Sequence, residues 1–174
     1  MFSGVTLKEI SSLSGYSIST VSKALNDRDD IKESTKSKIQ KIAKHNNYVP
    51  NSSARALRNR RTKVIAVIIP KITDTYFNIF VCEIQKKAFA IGYRILVLQS
   101  FNNLKKEKAC INFVNDGSVD GILMLSNTEF ENIGFKTISP KNFKVIPYPE
   151  VNSCHNIESI KETAISKFQE LLSI

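Results

Sequence analysis

Histidine, cysteine and long apolar runs are all scarce in this chain, and each scarcity removes a class of function. There are two histidines, His45 and His155, and neither has a cysteine or an acid at metal-ligand or triad spacing. No GxSxG or HExxH occurs, and no pair of carboxylates stands at a suggestive spacing, so catalysis has no support and no metal or cofactor is expected. The three cysteines, Cys82, Cys110 and Cys154, are odd in number, widely separated and without CxxC spacing. That argues against a disulfide framework or a zinc site and favours a reduced, cytoplasmic setting. The longest apolar run, "VIAVIIP" at Val64–Pro70, is far too short to cross a membrane. The opening "MFSGVTLKEI" lacks the basic-then-apolar pattern of an export signal. The stretch after the apolar run, "KITDTYF", has neither GxGxxG nor GKS/T, which disfavours a glycine-rich nucleotide cradle.

What the chain does have is an uneven charge. Its net charge is +9 and 42% of its residues are hydrophobic, enough for a packed core. Residues 1–63 hold 13 Lys/Arg against 5 Asp/Glu, and residues 64–174 hold 12 against 11. Nearly all the positive excess therefore sits in the first third, as in a surface built for phosphate.

Three short helices can be read in that first third. Thr6-Leu7-Lys8-Glu9 is a T-x-x-E capping box. It predicts a first helix with Leu7, Ile10 and Ser11 inward and Ser14 near its end. Gly15 suits a left-handed turn. Ser17 then caps a second helix, Ile18–Leu25, in which Val21, Ala24 and Leu25 make one apolar face. "NDRDD" at 26–30 reads as a loop. A third helix runs over roughly Glu33–His45, with Ile39, Ile42 and Ala43 inward. Pro50 biases Val49 away from helix. "SSARALRNRR" contains good helix formers but is too short to be stable alone. It is either a linker or a helix that forms only on a partner, and Arg58, Arg60, Arg61 and Lys63 close it with a basic cluster.

The character changes at residue 64. Val64–Ile69 reads as a strand buried on both faces, Phe77–Ile91 as a helix ended by Gly92, and Arg94–Leu98 as a second strand. Lys105–Val114 reads as a helix and Asp120–Leu125 as a third strand. Strand–helix alternation with short links predicts βαβ units and a parallel sheet. Beyond Ser126 the signal weakens. "KVIPYP" reads as one more short strand, and Glu158–Leu172, with Ile160, Ala164, Phe168, Leu171 and Leu172 on one stripe, as a helix packing on the sheet.

Two short helices joined by a glycine-containing turn form a helix-turn-helix, whose second helix can lie in the major groove of DNA. The outer face of that helix presents Ile18, Ser19 and Lys23 to base edges: an apolar contact for a thymine methyl, a permissive hydroxyl, and a donor for guanine O6 or N7. Thr6, Ser17, Thr20, Ser22 and Asn26 carry short polar groups suited to phosphate oxygens, which fix orientation without reading sequence. Helix spacing alone leaves a plain three-helix bundle with a polar face equally open.

The stretches "VTLKEISSLSGYSISTVSKALN" (5–26) and "NYVPNSSARALR" (47–58) resemble the headpiece of lac-repressor-family (LacI/GalR) transcription regulators. "VIAVIIPKITDTYFNIFVCEIQKKAFAIGYRILVLQS…VDGILML" resembles the start of that family's regulatory core, which has a periplasmic-binding-protein-like fold. The resemblance implies a helix-turn-helix headpiece over residues 1–50, a hinge helix and basic linker over 51–63, and a partial α/β regulatory domain over 64–174. It matches the family's base-reading positions to Ile18 and Ser19, with Lys23 one turn on where arginine is frequent. It implies a hinge helix that forms when two subunits meet on the operator. There Leu57 wedges into the minor groove beside Ala54, with Asn51, Arg55 and Arg58 near the backbone; such wedges bend the duplex. The implied partners are a double-stranded, pseudo-palindromic operator, a second copy of the chain and a small-molecule (sugar) effector, met by Asp74, Tyr76 and Phe77. The implied activity is transcriptional regulation, with repression the expected sense.

Several positions depart from the family pattern. Ser11 and Ser14 replace alanines, Lys32 stands where a capping serine is common, and Asn46 where leucine is common. The last two are expected to weaken the third helix by about 1 kcal/mol each. Family members are also much longer. The second wall of the effector cleft is therefore expected to be missing, a homodimer is expected only if the shortened core permits one, and the tail is either a later strand and helix of the first subdomain or a remnant of the chain's end. The alternatives to a working regulator are a partial sugar-sensing module and a truncated remnant with little regulatory activity.

Overall fold

The computed structural model describes residues 4–50, 61–127, 143–148 and 156–172. The chain forms two compact units, Met1–Arg55 and Ala56–Ile174. The first contains α1 (Leu7–Ser14), α2 (Ile18–Leu25) and α3 (Glu33–His45). In α1 the capping box is closed at both ends: the Thr6 amide donates to Glu9 Oε2 at 2.6 Å and the Glu9 amide to Thr6 Oγ1 at 3.3 Å. Gly15 ends the helix at φ +74°, where a Cβ would be strained, and its amide bonds the Ser11 carbonyl. Ser17 caps α2 by accepting the Thr20 amide at 3.2 Å.

Helix α3 is capped unequally. Lys32 occupies its N-cap and makes no side-chain cap bond. At the other end the Asn46 side-chain amide donates to the Ile42 carbonyl at 2.8 Å. The same carbonyl already accepts the Asn46 backbone amide at 3.1 Å, so the side chain adds a second donor to it. Ile10, Val21, Ala24, Ile39 and Ala43 form the buried centre, flanked by Leu7, Tyr16, Leu25, Ile42 and Tyr48. Ser11 is only half-buried, because its hydroxyl reaches sideways to the Tyr16 carbonyl at 2.6 Å.

The second unit is a parallel sheet with helices on both faces. Its elements are β1 (Val64–Ile69), α4 (Thr75–Ala90), β2 (Arg94–Gln99), α5 (Leu104–Val114), β3 (Gly121–Leu125), β4 (Phe143–Ile146) and α6 (Ile157–Leu172). The strand order is β2-β1-β3-β4, with every pair parallel. Alternation along β1 separates two cores. Ile65, Val67 and Ile69 pack under α4 (Phe77, Phe80, Ile84) and α6 (Ile160, Ala164, Phe168). Ala66 and Ile68 face α5 through Ile111 and Val114. Of the two readings of the tail, its described residues join the sheet as β4 and cover it as α6. Gly121 permits that cover, since a Cβ there would lie 2.9 Å from Leu171 Cδ2.

Local capping explains where the helices begin. Asp74 accepts the Tyr76 amide at 3.0 Å, so α4 starts at Thr75 rather than Phe77. Asn103 accepts the amides of Lys105 and Lys106, so α5 starts at Leu104. The chain reaches β1 through a clamp made by Asp120. One carboxylate oxygen accepts the Thr62 amide (2.6 Å) and hydroxyl (2.8 Å), and the other accepts the Lys63 amide (3.0 Å). The clamp helps hold Lys63 at φ +57°, with its ammonium 4.3 Å from the centre of the Tyr93 ring. Among the described residues no helix is long and apolar enough to cross a membrane.

Candidate nucleic-acid interface

Helix α2 is built from the inside out. Val21 and Ala24 are fully buried against α1 and α3, and Gln40 of α3 donates to the Ala24 carbonyl at 3.2 Å. With that face fixed, the helical period turns Ile18, Ser19 and Lys23 outward, and all three are exposed. Ile18 leaves 48% of its surface in water, an apolar side chain held on an otherwise polar face. The three positions expected to read bases thus share one outer stripe.

The residues expected at phosphate are more committed to the fold. Thr6 Oγ1 donates to Glu9 Oε2 at 3.0 Å while accepting the Glu9 amide, so its only proton is in use inside the capping box. Ser17 and Thr20 share a hydroxyl–hydroxyl bond at 2.9 Å. One amide proton of Asn26 goes to the Ser22 carbonyl at 2.6 Å, which leaves the other for an outside acceptor. Ser22 is half-buried. The hinge residues Asn51, Ala54, Arg55, Leu57 and Arg58 lie outside the described residues, as does Arg60.

Two contacts in this unit escape sequence reasoning. The Lys23 ammonium lies 2.5 Å from Asp30 Oδ2, which holds the Asp30 carboxyl below its ordinary range. Lys36 is buried and pairs with Asp27 at 3.0 Å and Glu33 at 3.4 Å. Asp27 sits at φ +54°. Separations of seven and nine residues through a loop match no helical or strand period, so no pattern announces these pairs. The i,i+3 Glu33–Lys36 pair was the one legible signal.

The three effector candidates divide. Asp74 caps α4, and Phe77 is a core residue, 2% exposed. Tyr76 is half-buried, with its ring edge-on to Phe77 at 5.5 Å. Tyr148 was not foreseen here. Its ring meets Phe77 edge-on at 4.8 Å, its hydroxyl donates to Asn102 at 2.9 Å, and its amide donates to Asn127 at 3.0 Å. Burial raises the Tyr148 phenol above its ordinary range, helped by the negative charges of Glu107 and Asp74. These groups gather at the carboxyl end of the sheet, where the strand order reverses about β1, the usual place for ligands in open α/β sheets.

Residues 6–51 match the family described as bacterial regulatory proteins, lacI family. The chain is 32% identical over 158 residues to the HTH-type transcriptional regulator MalR of Clostridium butyricum, an alignment covering 90% of this chain and 45% of that protein. It is 33% identical over 129 residues to catabolite control protein A of Staphylococcus epidermidis, covering 74% of this chain and 39% of that protein. The chain therefore spans less than half the length of these relatives. Among solved structures it resembles a lac repressor dimer bound to operator and the anti-inducer ONPF, with TM-score 0.66 and 22% identity, over 71% of this chain and 38% of that one. A lacI-family transcriptional regulator from Silicibacter pomeroyi gives TM-score 0.63 at 27% identity, over 74% of this chain and 39% of that one. Helix-turn-helix, parallel sheet and sequence relatives agree: the chain belongs to the lacI family of bacterial regulatory proteins.

Proposed function

We propose that this chain is a sequence-specific, DNA-binding transcription regulator, with repression the favoured sense. In this reading α2 lies in the major groove of a pseudo-palindromic operator, and two copies of the chain each supply a headpiece. The observation that carries it is the outer stripe of α2: Ile18, Ser19 and Lys23 exposed on a helix whose opposite face is sealed. A side chain of each needed kind is present there, apolar for thymine, hydroxyl for either purine or pyrimidine, and cationic for guanine. The basic excess of residues 1–63 supports it by supplying attraction to phosphate. The hinge assignment extends the proposal: Leu57 enters the minor groove beside Ala54, and Asn51, Arg55 and Arg58 lie along the backbone. Thr6, Ser17, Thr20, Ser22 and Asn26 stand near phosphates, with Thr6 acting through its cap.

An electrophoretic shift with a randomised palindromic duplex pool tests the reading. Enrichment of one palindrome that is lost in the Ile18→Ala, Ser19→Ala, Lys23→Ala triple variant is the expected result. No shift of any duplex at low salt, where phosphate attraction is strongest, overturns it. A second reading, a small-molecule (sugar) effector, is favoured by the convergence of Tyr148, Asn102 and Asn127 where the strand order reverses. A rise in melting temperature with a sugar is its test, since a ligand bound by the folded state must stabilise it.

A further inference from the structure

The pairing of Lys23 with Asp30 bears on how a groove-facing cation is used. The loop after α2 folds back on the helix: the Arg28 amide bonds the Lys23 carbonyl at 3.1 Å, and Asp27 is anchored by buried Lys36. That path brings Asp30 beside the Lys23 ammonium, with both side chains about half exposed. An exposed ion pair contributes little to folding stability, about 0–1 kcal/mol. Its effect on DNA is of another kind. An ammonium that keeps its own carboxylate is electrically neutral toward phosphate and releases no counterion when the protein lands on an arbitrary sequence. At a site where guanine offers O6 and N7 in register, the base contact replaces the carboxylate.

We propose that Asp30 is a specificity-determining residue, which withholds Lys23 from phosphates on non-cognate DNA and yields it to a base in the cognate site. The proposal rests on the DNA-binding reading above. It assigns a role in discrimination to an acid in a loop that itself need not touch a base. In this scheme Lys23 counts among the phosphate contacts of a non-cognate complex only when Asp30 is neutralised.

The test compares Asp30→Asn with Asp29→Asn, which changes the net charge equally and lies next to it in the loop. Binding is measured against a random-sequence duplex and against the palindrome selected by the wild-type chain, across a salt series. For Asp30→Asn the expected result on random DNA is tighter binding and a log K against log salt slope steeper by about 0.9 than for Asp29→Asn, the value of one added phosphate contact. The ratio of cognate to random affinity falls by several-fold. In a Lys23→Met background, Asp30→Asn and Asp29→Asn become equivalent. Equal effects of the two variants in the wild-type background, or a difference that survives Lys23→Met, overturn the proposal. Such a result leaves DNA binding itself intact, whereas failure of the wild-type chain to bind any duplex overturns both readings.

Discussion

The three-helix unit is closed by neighbours in sequence, whereas the α/β unit is tied across the chain. In the first, Thr6 caps with Glu9, Ser17 with Thr20, Asn26 with Ser22 and Asn46 with Ile42, all three or four residues apart. In the second, Thr62 bonds Asp120, 58 residues away, and β1 pairs with β2 and β3 along its length. Their interiors differ as well. The buried centre of the headpiece is Ile10, Val21, Ala24, Ile39 and Ala43, while the sheet is covered by the larger Phe77, Phe80 and Phe168. On this contrast, capping changes are expected to weigh relatively more in the headpiece, and losses of apolar volume more in the sheet. The surface proposed to meet DNA belongs to the unit with the thinner interior. There the exposed Ile18, Ser19 and Lys23 can vary with little effect on folding, while Val21 and Ala24 beneath them cannot.

The largest break in this comparison is expected from Phe80→Ala. Phe80 is fully buried between α4 and the sheet, and emptying such a site costs about 3–5 kcal/mol. Hydrogen exchange resolves where the loss falls: amides of β1 and β3 are expected to exchange faster and those of α1–α3 to hold. Equal acceleration in both would mean that the units do not keep separate stabilities.

Next comes Asp120→Ala. It leaves the amides of Thr62 and Lys63 and the Thr62 hydroxyl without their acceptor, at a cost of about 1–3 kcal/mol. Because the site is partly open to water, the lower part of that range is expected. A urea titration of the sheet measures it, and an unchanged midpoint would show that water replaces the carboxylate at no cost.

Much of this architecture was legible because its causes are local or periodic. The T-x-x-E box, Ser17, the β-branched run at Val64–Ile69 and the apolar stripe of α6 each announce an element, and all four elements are present. The outer stripe of α2 was legible for the same reason, since burying Val21 and Ala24 fixes what faces away. What sequence hid was every contact made through a loop. Asp30 on Lys23, Asp27 on Lys36 and Tyr148 on Phe77 and Asn102 join residues with no periodic relation. Phe77, which the family resemblance places among the effector contacts, is carried into the core by the helical period.

A smaller effect, about 1 kcal/mol, is expected from Ser17→Ala, which removes the α2 cap. Its mark is a lower melting temperature of the headpiece with the sheet unmoved. Acid should act on this unit through another cap. The Thr6 amide, and then its hydroxyl, hold the Glu9 carboxyl below its ordinary range. A depressed carboxyl contributes stability that is present above its unfolded pKa, about 4.3, and is lost as pH falls through the lower folded value. Helicity of α1 is therefore expected to fall below that pH. A helix that instead gains order on acidification would contradict the box.

The smallest expected effect has the opposite sign. Lys32 holds the N-cap of α3 at φ −55°, ψ 136°, close to the φ −60°, ψ 152° at which Ser17 caps α2. The backbone is already set for a cap that the lysine side chain does not make, and its charge faces the positive end of the helix dipole. In Lys32→Ser a hydroxyl in Ser17's geometry reaches the Thr35 amide as Ser17 reaches that of Thr20, and one unfavourable cation is lost. A gain of about 0.5 kcal/mol is expected, at the lower end of capping effects, visible as slower exchange of the Thr35 amide and a higher headpiece melting temperature. The sheet should not respond, because nothing there depends on this terminus. If Thr35 exchange does not slow, matching backbone angles are not sufficient for a cap, and the rule that local closure governs the headpiece would have to be narrowed to α1 and α2.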